Sequence, residues 1–272
     1  MLSPGMSVII GLAGVVGLWT YTGGWLLALI SLAVAALLVY NVKARALYKG
    51  QPFPVGAMFL LLQAASVVSL TGCLTAAVAV ASMAFIFLCF SKPRETKTVF
   101  LIYLFCGIGA LGARSFLLLA GALLLALILV RAFSMKGLVA ALLGLVTPLI
   151  ILGGFGVYDI DRLVAVYATA WHPGFDAPTL FSCALAVVFA LAMFLPSYGY
   201  PAKARARNMA VLGLTACAVA MPFVDSVNAP DYLPLVNVCA AYNIGHFAAT
   251  KRFGWVAAVL AAVSAGVFYF GY

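Results

Sequence analysis

Long apolar runs, each closed by a short cluster of basic or turn-forming residues, recur along the whole chain. Measured against the roughly 17 to 25 residues that a helix needs to cross a bilayer, they predict about eleven helical spans. These lie at approximately 6–21, 25–40, 55–70, 73–90, 98–112, 115–130, 137–154, 179–195, 208–224, 233–250 and 254–271. One segment departs from the pattern. In VYDIDRLVAVYATAWHPGFDAP, the residues Ile160, Leu163, Val164, Tyr167 and Trp171 recur at helical spacing, with Asp159, Arg162 and Thr169 turned away. That spacing predicts an amphipathic helix near 158–171 lying on the outer interface and ended by Pro173-Gly174.

The placement of charge orients these spans. With the N-terminus in the cytoplasm, Lys43, Arg45, Lys49, Lys92, Arg94, Lys97, Arg131, Lys136, Lys203, Arg205, Arg207, Lys251 and Arg252 all fall on the cytoplasmic side, 13 of the 15 basic residues. Arg114 and Arg162 are left outside, and the C-terminus is extracytoplasmic. Asp159, Asp161, Asp176, Asp225 and Asp231 form an acidic outer rim. The first 19 residues contain no Lys or Arg and no small-residue cleavage site, so they read as a retained first span and not as a signal peptide.

Composition agrees with a membrane chain. With 67% apolar and 8% charged residues and a mean hydropathy of +1.20, 272 residues carry too little polar surface to cover a soluble globule. The expectation is an all-α, polytopic transmembrane bundle, one integral membrane domain over 1–272, with the lipid bilayer as its partner. The net charge of +9 belongs to the cytoplasmic loops, and no nucleic acid partner is implied. Cys73, Cys89, Cys106, Cys183, Cys217 and Cys239 lie in or beside apolar runs without a C-x-x-C pair, and read as small core residues. No cofactor and no metal site is assigned.

Several motifs invite chemistry. Gly107, Gly109 and Gly112 form a literal G-x-G-x-x-G, but a dinucleotide site needs an acid about 20 residues further on. The first acid after Gly112 is Asp159, so the match fails. The glycines read instead as a tight turn between the fifth and sixth spans, where Gly tolerates positive φ and close helix approach. Arg114, just beyond, has two readings: it snorkels to lipid phosphate, or it faces a cavity and holds an anionic headgroup or an acidic side chain. Asp159 and Asp161 make a D-x-D that His172 and Asp176 can join. Helix capping and solvation stand beside a metal or sugar-phosphate site as its readings. In the tenth span, Asn237, Tyr242, Asn243 and His246 are expensive against lipid. They form either a hydrogen-bonded packing face or a proton or substrate relay. Gly11, Gly14 and Gly17 make a smooth packing stripe in the first span, and Pro148 and Pro222 mark expected kinks.

Arg131-Ala132-Phe133-Ser134 and Gly144-Leu145-Val146-Thr147-Pro148, with the basic loop KARARN and a KRFGW start to the last span, resemble an uncharacterised family of bacterial inner-membrane proteins. That resemblance implies a multi-pass protein of the bacterial inner membrane and carries no activity. More distantly, the sixth and seventh spans look like those of GT-C glycosyltransferases that use polyprenyl-phosphate sugars. Such enzymes place a catalytic acid in the first large outer loop. Here that loop is Thr22 to Trp25 and contains no acid, so no catalytic residue is carried over.

Three function classes follow. Foremost is a non-catalytic envelope-biogenesis component that associates with a polyprenyl-phosphate-linked lipid or with another membrane protein. A secondary transporter and a GT-C type transferase are the alternatives. Ligand contacts are expected at Arg114, Asp159, Asp161, Arg162, His172 and Asp176.

Overall fold

The structure, a computed structural model, describes residues 11–12, 14–16, 24–45, 53–89, 95–158, 160–168, 177–250 and 263. Ten helices are named in chain order: α1 Trp25–Arg45, α2 Phe53–Ala64, α3 Leu70–Leu88, α4 Thr96–Ala110, α5 Arg114–Leu129, α6 Met135–Gly154, α7 Ile160–Ala168, α8 Ala177–Ser197, α9 Ala202–Val224 and α10 Ala229–Thr250. No strand occurs among the described residues. Each expected segment from the second to the tenth overlaps one helix. The first and eleventh lie largely outside the described residues. Four stretches, Trp25–Lys43, Leu70–Leu88, Met135–Gly154 and Ala202–Val224, are long and apolar enough to cross a membrane.

The third expected segment differs most. Its helix stops at Ala64, after 12 residues, a rise of about 18 Å against a hydrocarbon layer of about 30 Å. The chain then runs without helix from Ala65 to Ser69. Local chemistry explains the stop. Ser66 Oγ donates back to the Leu62 carbonyl at 2.7 Å, a local alternative to helix propagation, and the β-branched pair Val67-Val68 follows. Ser69 then caps α3, its Oγ accepting from the Gly72 amide at 2.8 Å.

Helix α10 is the hub. Every residue from Tyr232 to His246 is buried, and α2, α3, α8 and α9 pack around it. The glycines set the closest approaches. A Cβ on Gly107 would stand 2.5 Å from the Leu145 carbonyl, and one on Gly144 would stand 2.5 Å from the Phe100 carbonyl, so α4 and α6 meet backbone to backbone. A Cβ on Gly14 would stand 2.8 Å from the Leu60 backbone and one on Gly11 3.8 Å from the Leu60 side chain, so this part of the first-span stripe packs on α2, while Gly17 is outside the described residues. The turn after α4 does not use positive φ, which among the described residues occurs only at Arg131 and Gly156. Space, more than conformational freedom, is what Gly107 provides.

The R-A-F-S motif is a helix joint. Ala132 N donates to the Leu127 carbonyl at 3.0 Å and Arg131 N to the Ile128 carbonyl at 2.9 Å, the paired bonds of a Schellman motif with Arg131 at φ 60°. Three residues on, Ser134 Oγ accepts from Gly137 N at 3.0 Å and starts α6. The same closure ends α6, with Gly156 at the left-handed position.

Candidate functional site

Polar side chains collect at three levels of the bundle. At one end, the start of α5 meets the end of α9. Arg114 and Asp225 are 6% and 0% exposed, with Arg114 Nη1 and Asp225 Oδ2 3.6 Å apart. Asp225 Oδ2 also accepts from Asn228 Nδ2 at 2.8 Å and from the Tyr232 hydroxyl at 3.1 Å. Arg114 Nε donates to the Val166 carbonyl at 2.6 Å, which ties α7 over the charge pair. Tyr167 and Tyr158 complete that tie by donating to the Ala110 and Leu111 carbonyls at the end of α4. Burial raises the Tyr167 phenol above its ordinary range. Asp231 stands beside this group, its carboxyl against the Ser69 hydroxyl. Burial pushes the Asp231 carboxyl up, the Ser69 contact opposes that, and the nearby Asp225 charge adds to it.

About 9 Å further along α10, six residues on, Asn237 forms the second level. Its Nδ2 donates to Gln63 Oε1 at 2.8 Å and to Ser66 Oγ at 2.9 Å. Gln63 Nε2 donates to Cys73 Sγ at 3.3 Å, and Ser31 Oγ lies 3.7 Å from that sulfur. All five side chains are buried. Asn237 Oδ1 is buried without a hydrogen-bond partner among the described residues, an arrangement that costs about 1–3 kcal/mol when an acceptor is left unmade. This cluster sits where α2 breaks off. The interrupted leg Ala65–Ser69 joins the two levels, Ser66 bonding to Asn237 and Ser69 to the Pro230 carbonyl at 3.3 Å.

The third level is the opposite end of α10. Tyr242 OH donates to Asn208 Oδ1 at 2.6 Å, Asn243 Nδ2 donates to Thr215 Oγ1 at 3.2 Å, and the Tyr200 hydroxyl lies 3.0 Å from His246 Nε2. Nearby, Arg207 donates to the Phe87 carbonyl at 3.0 Å and lies over the Phe87 ring. The four polar residues expected in the tenth span are all buried; each makes a hydrogen bond to a neighbouring element, and the Tyr242 and His246 rings meet edge to face at 6.1 Å. Asn237 belongs to a separate cluster.

Of the outer-loop candidates, Asp161 and Arg162 fall among the described residues. Asp161 is exposed in the first turn of α7, where a carboxylate suits the helix N-terminus, and Arg162 follows it in that helix. Asp159, His172 and Asp176 lie outside the described residues. No group of three His, Cys, Asp or Glu side chains that could hold a metal occurs among those described. Sequence reasoning missed Gln63 and Ser66, and placed Asp225 on the acidic rim without pairing it to Arg114. Gln63 was the available signal, since an amide in an otherwise apolar span needs a partner. No family model, no curated protein and no solved structure matches the chain.

Proposed function

We propose that the chain is a multi-pass integral protein of a bacterial inner membrane. It has about eleven spans, with Met1 in the cytoplasm and Tyr272 outside, and it acts as a secondary transporter for a small polar solute. One observation carries this reading: a helix interrupted inside the bundle, at Ala64, beside a fully buried and neutral cluster of Asn237, Gln63, Ser66, Ser31 and Cys73. At membrane depth, non-helical backbone is tolerated only against protein or a water-filled cavity. Broken helices beside polar groups are how transporter folds build their binding sites. Amides and hydroxyls with no net charge suit an uncharged or zwitterionic solute. The orientation draws support from the separation of charge. Lys43, Lys97, Arg131, Lys136, Lys203, Arg205 and Arg207 lie at the ends of α1, α4, α5, α6 and α9 away from the Arg114–Asp225 pair.

The test is flux. Purified protein in liposomes should exchange one member of a panel of radiolabelled neutral amino acids and polyols faster than empty liposomes do. Asn237→Leu should abolish the difference. Equal flux in empty and loaded liposomes for the whole panel removes the transport reading.

A second reading rests on a different feature. A groove of about 390 Å³ runs between α1, α3 and α4, lined by Leu37, Val78, Phe85, Leu101 and Phe105 among others. Its apolar walls fit a lipid chain, which supports association with a polyprenyl-phosphate-linked lipid. Co-purification of such a lipid, lost in Ala81→Trp, is the expected outcome under that reading.

A further inference from the structure

Resting on the transport reading but drawn from other atoms, we propose that Asp231, together with Asp225, Arg114 and Ser69, binds one exchangeable monovalent positive charge, a proton, at the outer end of the bundle. This makes the proton the coupling ion of the transporter.

Charge count supplies the first argument. Among the described residues, two carboxyls and one guanidinium meet here, with Arg114 paired to Asp225. Asp225 is fully buried and its Oδ1 has no hydrogen-bond partner among the described residues. Two ionised carboxylates beside one cation leave a net negative charge in a largely dry setting, which is costly unless a positive charge joins them.

Hydrogen counting at Ser69 shows that a proton can come and go on Asp231 without leaving a contact unmade. A serine hydroxyl has one proton to donate and can accept two. Ser69 Oγ accepts from the Gly72 amide and faces two oxygens, the Pro230 carbonyl at 3.3 Å and Asp231 Oδ1. The Pro230 carbonyl also accepts from the Ser69 amide at 3.2 Å, so with Asp231 ionised the hydroxyl proton is free to serve the carboxylate. If Asp231 carries a proton, it donates to Ser69 Oγ, Ser69 donates to Pro230, and every contact is a hydrogen bond. The step is reversible protonation, with a proton from the outer solution adding to the Asp231 carboxylate and leaving as the carboxylate re-forms. The groups facing the site from neighbouring elements are Asp225 and Asn228 from the α9–α10 link, Arg114 from α5 and Tyr232 from α10 itself. Tyr167 and Tyr158 lie beyond Arg114. The raised titration of Asp231 by burial agrees with this assignment.

The sign of the linkage is fixed by the direction of that shift. An acid whose folded pKa is raised gives stability that is present at low pH and lost as pH rises through the folded value. Thermal unfolding of the full chain in mild detergent should therefore show a melting temperature that falls as pH rises from the ordinary carboxylate range through the raised titration of Asp231. Asp231→Asn should remove that component and keep the acid-side melting temperature throughout. An infrared titration supplies the second readout, a carboxylic-acid carbonyl band in the wild type that is missing in Asp231→Asn. Identical pH slopes and bands in the two proteins overturn the proposal. Stabilisation at alkaline pH by sodium over potassium at equal ionic strength, lost in Asp231→Asn, overturns the proton and assigns a metal cation instead. The outcomes separate from those of the flux assay. Flux with no Asp231 titration removes this site alone, whereas titration without flux leaves the site and removes the transport reading.

Discussion

The guanidinium of Arg114 stands 3.6 Å from the carboxylate of Asp225, and both side chains are shielded from lipid and water. The charge that hydropathy leaves stranded between two apolar runs thus has an acidic partner at the end of α9, and α7 covers the pair through the Val166 carbonyl. Removing one partner of a buried ion pair leaves the other uncompensated and costs about 3–5 kcal/mol, while replacing both can be close to neutral. Arg114→Gln and Asp225→Asn should each lower thermal stability sharply, and the double variant should recover most of the loss. If the outer face instead binds a polyprenyl phosphate through Arg114, Asp225→Asn should raise binding of such a probe and Arg114→Gln should abolish it.

The contact between Gly107 and Gly144 leads to a packing prediction. Ala at either position forces a methyl group to within 2.5 Å of a carbonyl oxygen on the facing helix and should cost about 1–3 kcal/mol. Gly121 has no atom within 4 Å of a built Cβ, so Gly121→Ala should be neutral or stabilising by up to about 1 kcal/mol. Melting temperatures of the three variants test the contrast.

Arg131 occupies a backbone conformation that ordinarily costs an L-residue about 1–2 kcal/mol. Arg131→Gly should therefore leave stability unchanged or raise it by about 1 kcal/mol, whereas Gly156→Ala should lower it by about as much. A fall in Arg131→Gly would assign the side chain a role beyond the joint.

On α10, Asn243→Leu and His246→Leu should each reduce stability by about 0.6 to 2 kcal/mol, the span for polar contacts in membrane proteins. Their partners predict a further result. Tyr200→Phe should cost less than His246→Leu, since it removes the shared 3.0 Å contact but keeps the ring contacts of His246 with Tyr200 and Tyr242, and the double variant should cost less than the sum of the two.

Hydrophobic patterning carried much of the helix layout. Runs such as 137–154 and 115–130 return as α6 and α5 because an apolar stretch bounded by Arg, Ser or Gly caps has few other ways to satisfy its backbone. The amphipathic segment near 158–171 returns as a helix over Ile160–Ala168; of its expected inward residues Tyr167 is half-buried and Val164 is exposed. The break at Ala64 was not legible, because LLQAASVVSL is apolar enough to pass for a continuous span. What ends the helix is a hydroxyl bonding locally and a cap for the next helix, neither visible to a hydropathy window. The Arg114–Asp225 pairing was hidden differently. Both residues are assigned to the outer face by charge alternation, but only the packing of α5 against α9 brings them together.

Topology is open to direct measurement. Compartment-specific reporters fused after Lys97, Arg207 and Tyr272 should report cytoplasm, cytoplasm and exterior. Cytoplasmic signal at Tyr272 would reduce or increase the span count by one.

The central claim, that water and solute reach the interrupted segment inside the bundle, is tested most directly by thiol labelling of Ser66→Cys in a chain whose six native cysteines are replaced. Ser66 is buried in the structure, so a static bundle protects it. An alternating-access transporter should expose it periodically to a small, charged methanethiosulfonate reagent in intact membranes. The expected result is labelling of Ser66→Cys and no labelling of the lipid-facing control Val188→Cys, where water is absent. Complete protection of Ser66→Cys, in a folded protein that labels after denaturation, would contradict the account.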